Sequence, residues 1–228
     1  MPKINKICLK ENIRLSKISI GEHSFGNASV RDSKNSFYIK PSGVNVKKIK
    51  IKDYPLIDVN TSKVINKSNL KPSVDMLTHL EIYKNFNNIK SIAHAHSLYA
   101  TAWAQSGKSI PLLGTTHADF WINEVPIVRF PSKKEMKNYE LNTGKIICDL
   151  IKKKRINLEN CPGILVSGHG PFSWGTTYTK AVTNLILIET IAKMAFISKK
   201  IGIKKKIPKY ISNLHYNRKN SKKKYYGQ

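Results

Sequence analysis

Apolar and polar positions alternate along the chain at two periods, and the changes of period mark out the elements. Residues 1–20 predict a helix followed by a turn, with Ile13, Leu15, Ile18 and Ile20 as core candidates. Phe37 and Ile39 then alternate with Tyr38 and Lys40 as in a strand, which Pro41-Ser42-Gly43 ends in a turn. A second hairpin is expected over 54–65, with an exit loop over 66–71. From Lys71 the period lengthens: Ser73 is a good N-cap, Asp75 sits in the first turn, and Met76, Leu77, Leu80 and Tyr83 form an apolar helical face. Residues 89–95 return to a strand, and 98–105 predict a short helix stopped by Gly107.

Beyond residue 119, a strand is expected over 124–130 and a helix over 133–154 that includes Glu140. Residues 163–166 read as a short buried strand opening into a Gly-His-Gly turn, and 181–201 as a long apolar helix. Residues 204–228 read as a tail passing through His215. Irregular alternation of strands and helices, without an internal repeat, predicts an α/β fold: one domain over 1–228, with helices covering a mixed or mainly antiparallel sheet.

Composition narrows the picture modestly. The chain has 228 residues and a formal charge of +26, almost all of it lysine spread over the whole length; only Arg14, Arg31, Arg129, Arg155 and Arg218 are arginines. A dispersed lysine excess lacks the clustering of a nucleic-acid footprint, so no nucleic-acid partner is expected. Three widely spaced cysteines, Cys8, Cys148 and Cys161, suggest reduced thiols, and the N-terminus lacks a signal peptide's apolar block. No uninterrupted apolar run reaches the ~18 residues of a membrane span. A cytoplasmic protein without a membrane partner is the expectation.

The chemistry-bearing stretch is Ile92 to Trp121. His94 and His96 stand at i and i+2 on a predicted strand, so they share a face and lie about 7 Å apart along it. His169 follows another buried strand, and the small neighbours Ala95, Gly168 and Gly170 leave room for an ion. Three neutral imidazoles with an open position suit a catalytic zinc ion, although a single histidine is more often a hydrogen-bonded core residue. Asp119 in GTTHAD fits a helix cap as well as it fits proton transfer. Asp75 also serves as a first-turn dipole partner, Ser73 as a plain N-cap, and Tyr226 as a tail residue.

The motifs GNAS, KPSG, KPSVD, HAHS, AQSGKSIPLLGTTHAD, GHGPFSWG and the terminal YYGQ resemble the class II aldolase and epimerase family of sugar-phosphate enzymes. The resemblance extends from about Gly26 to Gln228 and implies the family's three-layer α/β fold. It matches His94, His96 and His169 to zinc ligands, one ion per subunit, and Asp75 to the acidic residue of the metal site. Aspartate there, where fuculose-phosphate aldolases have glutamate, favours epimerisation of a pentulose phosphate. Gly26, Asn27, Lys40, Ser42, Gly43, Ser73 and Val74 match phosphate-binding turns. Asp119 and Tyr226 match the acid/base pair, and Thr115, Glu140 and His215 match accessory positions. A homotetramer with sites at subunit interfaces is implied, Asp119 and Tyr226 entering a neighbour's site. Two departures stand out: Val74 replaces the second serine of the phosphate loop, and Phe25 stands where an indole is common.

Overall fold

A computed structural model describes residues 3–19, 25–203, 206–221 and 225. Its frame is a seven-stranded sheet of order β3-β2-β1-β4-β7-β6-β5. The strands are β1 (Asn27–Ser33), β2 (Ser36–Ile39), β3 (Leu56–Asp58), β4 (Ser91–His94), β5 (Ile127–Val128), β6 (Gly163–Val166) and β7 (Gly170–Gly175). Every pairing is antiparallel except β5 with β6. Among the described residues the α-helices are α1 (Ile4–Leu15), α2 (Met76–Asn85), α3 (Leu98–Gln105), α4 (Thr115–Ala118), α5 (Tyr139–Lys153), α6 (Lys180–Ile201) and α7 (Lys209–Asn220).

Strand pleating sorts side chains into two layers of core. Ile164 and Val166 of β6 join Ile92, Phe172 and Trp174 beneath α2 and α5, while Leu165 faces the α3 and α6 side. Ala28, Ala93 and Ala95 let α6 approach the centre of the sheet closely, through Ala181, Val182 and Leu185. The result is three layers, as the resemblance implied.

Several expectations need correction. Ile13 is exposed, whereas Leu15 is buried and Ile18 partly buried; Ile20 lies outside the described residues. The α2 helix starts at Met76, with Asp75 at the cap position rather than Ser73: residues 74–75 form a tight turn in which the Ser73 carbonyl accepts the Met76 N–H at 3.0 Å, while the Ser73 N–H donates to the Lys40 carbonyl at 2.9 Å. Strand β7 was not anticipated, its Gly-Pro start reading as the continuation of a turn. The expected tail contains α7, with Lys204, Lys205 and residues 222–224 and 226–228 outside the described residues. By length and composition α6 could cross a membrane, contrary to expectation, but its buried stripe (Leu185, Ile188, Ile191, Ala192) packs into the core.

Two histidines are locked into this framework in the neutral form. Burial pushes His79 down to about 3 and His117 down to about 4. A depressed histidine contributes stability that is full above its unfolded value of 6.5 and is lost as pH falls towards the folded value. Lowering the pH from 7 to 5 is expected to remove roughly 2 kcal/mol of unfolding free energy per buried histidine. Urea titrations of wild type and His117→Gln at the two pH values check this: the variant should lose about 2 kcal/mol less between them. Equal losses would contradict the assignment.

Candidate active site

The end of β4 and the β6–β7 turn bring three histidines to one point. His94 closes β4, pairs in register with Asn27 and Phe172, and stacks on the Phe172 ring at 4.2 Å. Its Nδ1–H donates to the Pro171 carbonyl at 2.9 Å, which leaves Nε2 to face outward. His96 lies just past the strand end, not on the strand as expected, and its ring stacks on Phe25. His169 sits in the turn, 3.3 Å from the Tyr139 hydroxyl through Nδ1. One ring nitrogen from each of the three lies within 4.8 Å of the others.

Electrostatics suits this cluster to a cation. Desolvation, then the neighbouring His169 and His96, hold His94 well below the ordinary histidine range. His96 is lowered by burial against a raising influence from Asp75, and His169 is lowered in the same way, with His96 adding to the effect. Three imidazoles at this spacing are therefore neutral near pH 7, with lone pairs available, and the donor set fits a divalent metal such as zinc. Asp75 is not one of the converging three. Its Oδ2 accepts from Asn27 Nδ2 at 2.7 Å, and its charge acts on His96 and His169.

The loop carrying His96 is anchored by a contact that sequence reading missed. Ser97 precedes α3 without capping it through its side chain; Glu189 of α6 accepts instead from the N–H groups of Tyr99 and Ala100, both at 2.9 Å. A carboxylate at a helix N-terminus needs no local sequence signature when it arrives from about ninety residues away. Gly26 matters on the other side. Its φ is +94°, and a Cβ there would stand 2.8 Å from the His94 carbonyl oxygen, so glycine lets the chain enter β1 beside the metal strand.

The positions matched to phosphate turns gather beside the cluster. Loops 40–43 and 71–73 run together through the Pro41–Pro72 bridge, with the N–H groups of Ser42 and Ser73 donating to the Lys71 and Lys40 carbonyls. Asn27 links this region to Asp75. Lys40 is buried, and burial lowers its ammonium below the usual lysine range. Gly43 takes a positive φ of +66° in an open turn, and the Val74 side chain is exposed.

Asp119 forms a separate centre. It ends α4, is buried, and lies 3.2 Å from His215 Nδ1, Arg218 Nη2 and Lys219 Nζ, all on α7. Asn220 donates to its carbonyl at 3.0 Å. Thr115 opens α4 and accepts the Asp119 N–H through its carbonyl. Glu140, in the first turn of α5, accepts from the Thr78 hydroxyl through its carbonyl at 2.6 Å. Among the described residues, no hydrogen bond, ion pair or ring contact joins the Asp119 side chain to the three histidines. Tyr226 lies outside the described residues.

Solved structures share this architecture. An L-fuculose 1-phosphate aldolase is similar with a TM-score of 0.76 at 21% identity, covering 96% of each chain. YgbL from Escherichia coli, described as a putative aldolase/epimerase/decarboxylase, gives 0.72 at 19% identity over 93% of this chain and 99% of its own. An L-fuculose-1-phosphate aldolase from Thermus thermophilus gives 0.68 at 18% identity over 88% of this chain and 96% of its own. Residues 10–196 match the family model described as class II aldolase and adducin N-terminal domain. With the three-layer sheet and the histidine cluster in view, the chain belongs to the class II aldolase family.

Proposed function

We propose that the protein is a zinc-dependent L-ribulose-5-phosphate 4-epimerase, interconverting L-ribulose 5-phosphate and D-xylulose 5-phosphate. The observation that carries this reading is the cluster of neutral histidines beside an aspartate, combined with a second buried aspartate, Asp119, held against basic side chains. Zinc bound by His94, His96 and His169 would supply a Lewis acid for negative charge developing on the ketone and hydroxyl oxygens. Asp75 completes the acidic side of that site.

In this chemistry the C3–C4 bond breaks, its electron pair stays with the three-carbon fragment, and the C4 hydroxyl gives up its proton. Glycolaldehyde phosphate then turns its other face and the bond re-forms, inverting C4. Two orientations of the C4 hydroxyl require two proton-transfer groups, and Asp119 and Tyr226 take those roles. Among the described residues no hydrogen bond, ion pair or ring contact joins the Asp119 side chain to His94, His96 or His169, which supports an assembly, a homotetramer in this reading, in which it serves a neighbour's site. His215 holds the Asp119 carboxylate, while Thr115 and Glu140 remain accessory assignments.

The phosphate anchors the fragment during rotation. With the Ser42 and Ser73 N–H groups already bonded, we assign the phosphate to their hydroxyls and to the N–H groups of Gly43 and Val74. Val74 then acts through its backbone, which explains why a serine is dispensable there. Gly26 and Asn27 close the other side, and Lys40 adds positive charge.

Incubation of purified protein with zinc and L-ribulose 5-phosphate should yield D-xylulose 5-phosphate without accumulation of free glycolaldehyde phosphate. Glycolaldehyde phosphate released without xylulose 5-phosphate would instead establish the second reading, a sugar-phosphate aldolase of the fuculose-phosphate type. The names of the similar solved structures favour that alternative.

A further inference from the structure

A histidine ligand needs its ring fixed as well as its backbone, and the three rings here are fixed in different ways. His94 donates through Nδ1 to the Pro171 carbonyl at 2.9 Å, and His96 stacks on Phe25 with ring centroids 5.8 Å apart. The backbone at His169 is held by the turn: its N–H donates to the Val166 carbonyl at 3.0 Å, and the Gly168 N–H before it donates to the Ala104 carbonyl at 3.0 Å. Those bonds do not set the ring, because the terminal torsion of histidine is broad and roughly two-fold. Among the described residues the Tyr139 hydroxyl, 3.3 Å from Nδ1, is the hydrogen-bonding partner of that ring. The two ring centroids stand 6.0 Å apart with planes tilted by 45°, so the rings meet through the hydroxyl and not face to face.

Tyr139 is the first residue of α5, and the chain leading into it is tied down on both sides. A 3₁₀ helix, Lys133–Asn138, opens with a capping box of Ser132 and Glu135. Arg129, just past β5, donates to both Glu135 carboxylate oxygens at 2.8 and 2.9 Å, and Asn142 donates to the Glu135 carbonyl at 2.8 Å. On the other side α5 is pressed against α2, where a Cβ on Gly144 would stand 2.7 Å from the Glu81 Cβ. The hydroxyl therefore reaches the β6–β7 turn from a fixed element, one packed on the helix that has Asp75 at its start.

Ligation decides where the imidazole proton stands. A metal takes an unprotonated ring nitrogen, and the proton of the neutral ring is then on the other nitrogen. Nδ1 already faces the Tyr139 hydroxyl, which leaves Nε2 for the metal and Nδ1–H for the phenol oxygen. Tyr139 is only half-buried, so its own proton has solvent to donate to.

We infer that Tyr139 is a positioning residue of the metal site: its hydroxyl oxygen accepts the His169 Nδ1–H and so turns Nε2 toward the point where His94 and His96 converge. This assignment rests on the proposed function only in taking the three histidines as zinc ligands.

Tyr139→Phe removes one oxygen and keeps the ring that packs at the start of α5. Its zinc affinity, measured by competition with a chromophoric chelator, should fall about tenfold, while thermal unfolding of the metal-free protein stays near wild type. Cobalt-substituted protein supplies a second readout, since the N–H protons of ligand imidazoles give shifted, water-exchangeable resonances. One such resonance of wild type should broaden by faster exchange in Tyr139→Phe, while that of His94, held by Pro171, persists. Unchanged zinc affinity, or an unchanged set of resonances, overturns the inference. So does a loss of thermal stability alone, which would make Tyr139 a packing residue, or a loss of turnover at wild-type zinc affinity, which would make it a proton-transfer group. If the variant loses zinc affinity while wild type epimerises no pentulose phosphate, the proposed substrate is wrong and the role of Tyr139 stands. If wild type is an epimerase and the variant holds zinc equally well, the proposed function stands and this role falls.

Discussion

His169→Ala should fold normally yet bind zinc more than a hundredfold more weakly and lose measurable turnover. Replacing a residue that only supports a metal ligand already costs roughly 10- to 100-fold, so removing a ligand should exceed that range. The site of the change is favourable for a clean test. His169 sits in the β6–β7 turn, partly exposed, and the one hydrogen bond its side chain makes among the described residues is the 3.3 Å contact between its ring and Tyr139. His94 would be a poorer choice, because it is buried and stacked on Phe172, and truncation there would open a cavity beneath the sheet end. The measurement is zinc stoichiometry after dialysis, with thermal unfolding of the metal-free proteins as the control. A variant that retains one zinc per chain would remove His169 from the ligand set.

The second large effect is expected at Asp119. Asp119→Asn should lower turnover by about 10²–10⁴-fold, the usual range for a proton-transfer group, while leaving zinc affinity near wild type. It should also loosen α7. His215, Arg218 and Lys219 all face this carboxylate, with side chains 19%, 24% and 21% exposed, so the lost attraction is partly screened. Roughly 1–3 kcal/mol of docking is a reasonable discounted scale against the 3–5 of a fully buried pair. Faster proteolytic cleavage within α7 would report it. Mixing Asp119→Asn with His169→Ala subunits and reassembling them should restore part of the activity if Asp119 serves a neighbour's site. Failure of that mixture, with both parents inactive, would return Asp119 to its own subunit.

Sequence legibility differed between elements for identifiable reasons. The α3 boundaries follow directly from an apolar helical run closed by Gly107, whose φ of +66° is the stop that glycine provides. The β6 strand is equally plain as a short apolar run. Strand β7 is not, since Gly170, Pro171 and Gly175 read as turn residues; the strand is buried along its whole length and shows no alternation. Helix α7 buries only Ser212 and Tyr216, so it has no apolar stripe to detect. Polar contacts dock it: His215, Arg218 and Lys219 on the Asp119 carboxylate, Asn220 on the Asp119 carbonyl and the Tyr216 hydroxyl on Asn160. Convergence of His94, His96 and His169 was legible because two strand ends and a small-residue turn imply it. The Glu189 anchor, the commitment of the Ser73 N–H and the Asn27–Asp75 hydrogen bond are tertiary facts, invisible to local pattern.

The pairing of β4 with β7 bears on the order in which the molecule assembles. His94 takes its orientation from Pro171 and Phe172, both on β7, some eighty residues along the chain. Closing so long a loop comes entropically late, after local helices and the β1–β2 hairpin have had time to form. An unfolded or nascent chain therefore offers only the His94–His96 pair, and the complete ligand set exists once the sheet has closed. Metal capture is in that sense a mark of completed folding rather than its nucleus.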